Sequence, residues 1–218
     1  MKLDGAIFDL DGTLVDSMDI WNEVPKALVR RFGGTPPEDL ARDIETMSLR
    51  DASEYLIRTF RLDCTPEQVM EGVNSLVTAQ YRDTVPMKPG ADRLLERLAA
   101  LGIPCGIATA SEDFQAQAAM ERLGLWDQFR FAVSSSQYGS KTSPDIYWEA
   151  ARRLGSAPER TLVFEDALHA AQCAKQAGFL VAGVYDASAE ADQEALKQLC
   201  DWYLPRLDMP YFMDELGR

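Results

Sequence analysis

Histidine is almost missing from this chain: His169 is the single one among 218 residues. Four cysteines, Cys64, Cys105, Cys173 and Cys200, show no zinc-ligand spacing. Neither a zinc nor a disulfide framework is expected, and the cysteines read as reduced thiols in the core of a cytoplasmic protein. Basic residues are also scarce, 22 Lys and Arg against 35 Asp and Glu, which gives a formal net charge of −13. A surface that acidic repels polyanions, so neither nucleic acid nor an anionic membrane is expected as a partner. A small anionic substrate is still allowed, because a local cation or metal reverses the field inside a pocket. Long apolar runs are lacking too. Stretches such as residues 179–185 are far too short to span a bilayer. Asp4 and Asp9 interrupt the opening residues, which is not the pattern of a signal peptide. What is present suits a globular domain. The hydrophobic fraction of 46% supplies a core, and 26% charged residues is not the mark of disorder.

Short apolar runs alternate with amphipathic stretches. Residues 3–8, 103–108, 129–133, 161–164 and 180–185 read as buried strands. Residues 91–100, 114–123, 145–154, 167–177 and 190–200 carry helical patterns. Gly102, Gly124, Gly155 and Gly178 each follow such a pattern, where a left-handed helix end favours glycine. Strand–helix alternation predicts an α/β fold with a doubly wound parallel sheet. Trp126, Trp148 and Trp202 have apolar neighbours and read as core.

One segment breaks the alternation. From about residue 17 to 82 no strand pattern occurs, and 18–32, 37–46, 49–60 and 66–81 read as helices. Pro36-Pro37 and Thr65-Pro66 look like helix starts. The expected organisation is a sheet-bearing core over residues 1–16 and 86–218, with an all-helical insertion over 17–85. Residues 86–89, bounded by Pro86 and Pro89, would form the return hinge.

The densest chemical signal is Phe8-Asp9-Leu10-Asp11-Gly12-Thr13-Leu14-Val15-Asp16-Ser17. An apolar strand delivers two carboxylates to its C-terminal end, the edge at which open α/β sheets bind ligands. Close carboxylates repel unless a cation stands between them; taken alone, the pair could equally be a solvated acidic turn. Thr109, Ala110 and Ser111 follow another strand and offer hydroxyls and backbone N–H groups to a phosphate, although Ser111 alone is also a plain helix cap. Glu165 and Asp166 place a second acidic pair at a strand end. Hard oxygens from Asp9, Asp166 and a backbone carbonyl suit Mg²⁺. Lys141 precedes a helix opened by Pro144, where it would balance the acids and the phosphoryl oxygens. A lone His169 on the following helix reads as surface or packing.

In this order the motifs resemble the haloacid dehalogenase-like hydrolase superfamily over nearly the whole chain. Asp9-Leu10-Asp11-Gly12-Thr13 resembles its first motif, Thr109 its second, Lys141 with Pro144 its third, and Glu165-Asp166 its fourth. The helical insertion resembles the family's cap. The first motif is similar to the branch holding phosphoglycolate phosphatase, sugar-phosphate phosphatases and β-phosphoglucomutase.

The resemblance implies a Rossmann-like core and a Mg²⁺-dependent phosphatase of a small phosphorylated metabolite. Asp9 would be the nucleophile and Asp11 the acid/base. Thr109, Ala110, Ser111 and Lys141 would hold the phosphoryl group. Asp9, Asp11, Asp166 and Glu165 would surround the metal. Asp11 argues against a dehalogenase, because a halide leaving group needs no proton. A monomer is the default expectation. Two alternatives stand. A β-phosphoglucomutase-like mutase would carry a histidine where Trp21 stands and an arginine that Arg50 matches, while its usual loop glycine is replaced by Thr46 or Met47. In the fourth motif Ala167 and Ala170 replace the usual serine and glycine. Trp21 and Arg50 are thus candidates for substrate specificity. The other alternative, a phosphoacceptor signalling domain, needs no helical insertion.

Overall fold

The computed structural model describes residues 2–44 and 47–217. Packing divides the chain into two compact units, Met1–Asp16 with Val85–Arg218, and Ser17–Thr84.

The first unit is built on a six-stranded sheet among the described residues. Its strands are β1 (Gly5–Phe8), β2 (Cys105–Thr109), β3 (Phe129–Ser134), β4 (Thr161–Glu165), β5 (Leu180–Val184) and β6 (Trp202–Leu204). The order is β3-β2-β1-β4-β5-β6, and every pairing is parallel. β1, β2 and β4 are buried at every position. Their side chains are covered on both faces, which is why they are continuous apolar runs rather than alternating ones. The chain fills one side of β1 with β2 and β3, then crosses to the other side for β4. The sheet therefore reverses direction beside β1, and its C-terminal edge there is the natural ligand crevice.

The helix Asp145–Leu154 packs against β1, β2 and β3. It buries Ile146, Tyr147, Ala150, Ala151 and Leu154, an arc that excludes residue 148. Trp148 is accordingly 48% exposed, not in the core. Trp126 and Trp202 are half-buried. On the next layer Phe8 stacks on Phe164 with centroids 4.3 Å apart, and Phe129 and Phe212 meet this pair edge-on. These rings form a rigid apolar floor one residue below Asp9 and Glu165. The four cysteines are free thiols.

The outgoing and returning chains are paired where the first unit ends. Asp16 N donates to Pro86 O at 2.9 Å, Lys88 N donates to Leu14 O at 2.9 Å, and Val15 bridges Met87. Lys88 is fixed further by a 2.7 Å ion pair to Asp186, just beyond β5.

The second unit holds the helices Met18–Arg31, Leu40–Ile44, Leu49–Phe60 and Pro66–Asp83 and no strand among its described residues. Thr65 opens the last with a reciprocal capping box to Gln68, which satisfies two otherwise orphaned backbone donors. Pro36-Pro37 does not start a helix. Pro37 biases Pro36 away from helical geometry, and the helix begins only at Leu40. Its expected end at Thr46 lies outside the described residues, as does the Thr46 alternative for the loop glycine; Met47 is exposed.

Two further differences concern the first unit. β6 carries no usable period because it has three residues, set between Asp201 and Pro205. The helix expected over 190–200 is a 3₁₀ segment, Ala187–Asp192, followed by Gln193–Leu199. Asp186 caps it by accepting from Ser188 N at 2.9 Å.

No helix among the described residues is long and apolar enough to cross a membrane.

Candidate active site

β1 ends at Phe8, so Asp9 is the first residue off the strand, and its N–H still donates to Phe164 O of β4 at 3.0 Å. That bond sets Asp9 beside Glu165, the last residue of β4. Asp166 follows at once. Asp9, Glu165 and Asp166 are all buried, and each offers a carboxylate oxygen within 4.8 Å of the others.

Two local features hold Asp166 in this group. Thr13 Oγ1 donates to Asp166 Oδ1 at 3.0 Å. Gly12 has φ +79°, and a Cβ there would lie 2.3 Å from Asp166 Oδ2. Both the left-handed turn and the space for Asp166 require glycine.

Lys141 is the cation of the cluster. Its ammonium donates to Asp9 Oδ1, and to Glu165 Oε1 at 2.6 Å. Tyr147 OH donates to the same Glu165 oxygen at 2.8 Å. Glu165 Oε2 is buried and has no hydrogen-bond partner among the described residues.

The electrostatics follow from three buried acids facing one lysine. Burial pushes the Asp9 carboxyl well above its ordinary pKa; Lys141 opposes this, and the Glu165, Asp166 and Asp11 carboxylates add to it. Burial, then the Glu165 charge, raise Asp166 to about 7. Burial pulls the Lys141 ammonium down, but the Asp9 and Glu165 carboxylates outweigh it and hold the group above the usual lysine value. The lysine is thus firmly charged, while the acids still lack compensation. A second cation is what this geometry calls for.

Thr109 ends β2 and is fully buried. Its Oγ1 accepts from Ser111 N at 2.9 Å, which leaves its own O–H as a donor. Ser111 Oγ donates to Asp11 Oδ2 at 2.7 Å; it is not the helix cap that the sequence allowed, because Glu112 caps the helix Asp113–Arg122. Ala110 between them is exposed. His169 is exposed on its helix. Trp21 and Arg50 both belong to the helical unit. There the Trp21 indole donates to Tyr81 OH at 3.3 Å, and Arg50 pairs with Glu67 at 3.2 Å.

Two residues of this cluster were not foreseen as site residues. Thr13 stood inside the first motif, where its match to Asp166, 153 positions away, left no local trace. Tyr147 falls on an apolar helix face and reads as core until its hydroxyl is located.

A family model described as haloacid dehalogenase-like hydrolase matches residues 6–184. The chain belongs to the haloacid dehalogenase-like hydrolases. This hydrolase is 27% identical over 177 residues to the phosphorylated carbohydrates phosphatase of Thermotoga maritima, covering 81% of this chain and 82% of that protein. It is 31% identical over 168 residues to hexitol phosphatase A of Escherichia coli, covering 77% and 76%. Its fold is that of the β-phosphoglucomutase of Clostridium difficile, with a TM-score of 0.79, 17% identity, and coverage of 98% of this chain and 96% of that one. Within its family this hydrolase is a phosphohydrolase.

Proposed function

We propose that the chain is a Mg²⁺-dependent phosphatase of small sugar or polyol phosphate monoesters, acting through an aspartyl-phosphate on Asp9. The observation that carries this reading is the packing of three buried acids, Asp9, Glu165 and Asp166, around the single ammonium of Lys141. Burial disfavours the charged Asp9 carboxylate, and a second cation would offset that cost. The donor set is all hard oxygen, and Glu165 Oε2 is an orphaned buried acceptor, so the residues fit Mg²⁺. Asp9, the Asp11 backbone carbonyl and Asp166 would hold the ion, with Glu165 as a further partner. When bound, it would neutralise charge on the phosphoryl oxygens.

The chain's own residues divide the remaining work. Lys141 orients the Asp9 carboxylate and offers donors to the phosphoryl group. The Thr109 hydroxyl, with the backbone at Ala110 and Ser111, holds further phosphoryl oxygens. Asp9 attacks phosphorus, and the bond from phosphorus to the ester oxygen breaks. Asp11, held through Oδ2 by Ser111, gives its proton to that departing oxygen. The Asp11 carboxylate then takes a proton from water, whose oxygen attacks phosphorus. The Asp9–phosphorus bond breaks, and inorganic phosphate leaves. The helical unit Ser17–Thr84 would act as a cap that excludes bulk water and supplies specificity groups, with Trp21 and Arg50 as candidates.

The two curated relatives named above are phosphatases of phosphorylated carbohydrates and hexitols, which supports hydrolysis over mutase chemistry. Membership of a hydrolase family sets aside a signalling domain without turnover.

The test is steady-state turnover of an aryl phosphate, then of a panel of sugar and polyol phosphates, with and without Mg²⁺. The reading expects multiple turnover that requires the ion, and inorganic phosphate as product. Isomerised sugar phosphate without phosphate release would overturn it.

A further inference from the structure

We propose that Tyr147 is a positioning residue that acts through Glu165: it saturates one carboxylate oxygen and leaves the other turned to the cation. The inference rests on the magnesium reading above and adds a residue to it.

Tyr147 lies in the first turn of the helix Asp145–Leu154 and is fully buried, its ring 6.1 Å from that of Phe179. The segment that opens this helix also carries Lys141. One stretch of chain therefore brings two donors to one acceptor. Glu165 Oε1 receives Lys141 Nζ at 2.6 Å and Tyr147 OH at 2.8 Å. Glu165 Oε2, equally buried, receives none among the described residues.

A carboxylate oxygen has two lone pairs. With both filled at Oε1, the plane of the carboxylate is fixed, and the remaining Lys141 protons are directed to Asp9 and the phosphoryl site. An ammonium alone imposes no such orientation, because its three donors rotate freely on a flexible stem. Without the phenol, Lys141 would share both Glu165 oxygens and draw Oε2 away from Asp9 and Asp166. A buried tyrosine that merely satisfied its own hydroxyl would leave cation affinity unchanged on replacement by phenylalanine.

The experiment is calorimetric titration of MgCl₂ into metal-free wild type, Tyr147→Phe, Glu165→Gln and the double variant, with thermal melts as the control for folding. The expected result is a Mg²⁺ dissociation constant raised about tenfold in Tyr147→Phe, with no further increase when it is added to Glu165→Gln. If Tyr147→Phe fails to fold, Tyr147→Met, which also lacks the hydroxyl, carries the same comparison. Wild-type affinity in a folded variant, or additive effects in the double variant, overturns the role of Tyr147 alone. A wild type that binds no Mg²⁺ overturns this inference and the magnesium reading together.

Discussion

The Ser111 hydroxyl donates to Asp11 Oδ2 at 2.7 Å, across 100 positions of sequence. It joins the end of β2 to the turn after β1, and it fixes one oxygen of the proposed acid/base. Asp11→Asn is expected to slow turnover of alkyl phosphates by a factor of about 10²–10⁴, the usual contribution of general acid–base catalysis. Ser111→Ala is expected to cost less, about tenfold, because the proton donor remains and only its orientation is lost. Steady-state kinetics on an alkyl and an activated aryl phosphate check both. The aryl ester, whose leaving group needs less help, should suffer less in each variant. Equal losses on the two esters would show that Asp11 does not protonate the leaving oxygen.

Lys141 stands between Asp9 and Glu165 with 7% of its side chain exposed. Lys141→Ala leaves buried carboxylates without their cation. It is expected to destabilise the metal-free protein by about 3 kcal/mol and to abolish measurable turnover. Mg²⁺ should restore part of the stability and none of the activity. Urea unfolding with and without the ion, alongside phosphate release, separates the two effects. Wild-type stability in the metal-free variant would mean the acids are not held apart from solvent as the geometry indicates.

The Lys88–Asp186 pair predicts an acid limb to stability. Burial raises the Asp186 carboxyl, but the Lys88 ammonium and the Ser188 hydroxyl and N–H outweigh it, so its pKa lies below the ordinary value. A carboxyl depressed in the native state binds protons less readily than in the unfolded chain. Its stabilisation is therefore complete above the unfolded pKa of about 4 and is lost as pH falls through the lower native value. Asp186→Asn should cost about 3 kcal/mol at neutral pH, because Lys88 is left buried and unpaired. It should also flatten the fall in stability below about pH 4. Urea midpoints between neutral and acid pH in both proteins measure this, and parallel curves would refute it.

Much of this fold is legible in the sequence, for reasons that differ by element. β1, β2 and β4 are short runs buried on both faces, so apolar residues alone mark them. Gly102, Gly124, Gly155 and Gly178 all have positive φ, which is why a glycine after an apolar period ends each helix. The proximity of Asp9, Lys141, Glu165 and Asp166 is readable because three of them stand at or just past strand ends on one sheet edge and Lys141 precedes a proline-opened helix; their roles are the proposal above. What stays hidden depends on long-range pairing or on elements too short to carry a period. β6 spans three residues. Thr13 and Tyr147 find their carboxylate partners only in three dimensions. Trp148 looks like core by composition, and only the angular position of the buried arc places it outside.

The proposed mechanism turns on covalent catalysis by Asp9. Its most direct test is the steady-state rate of aryl phosphate hydrolysis by Asp9→Asn in the presence of Mg²⁺, with circular dichroism to show that the variant is folded. No turnover above the uncatalysed rate is expected, because an amide oxygen cannot form the phosphoenzyme. Turnover within tenfold of the parent protein would contradict it.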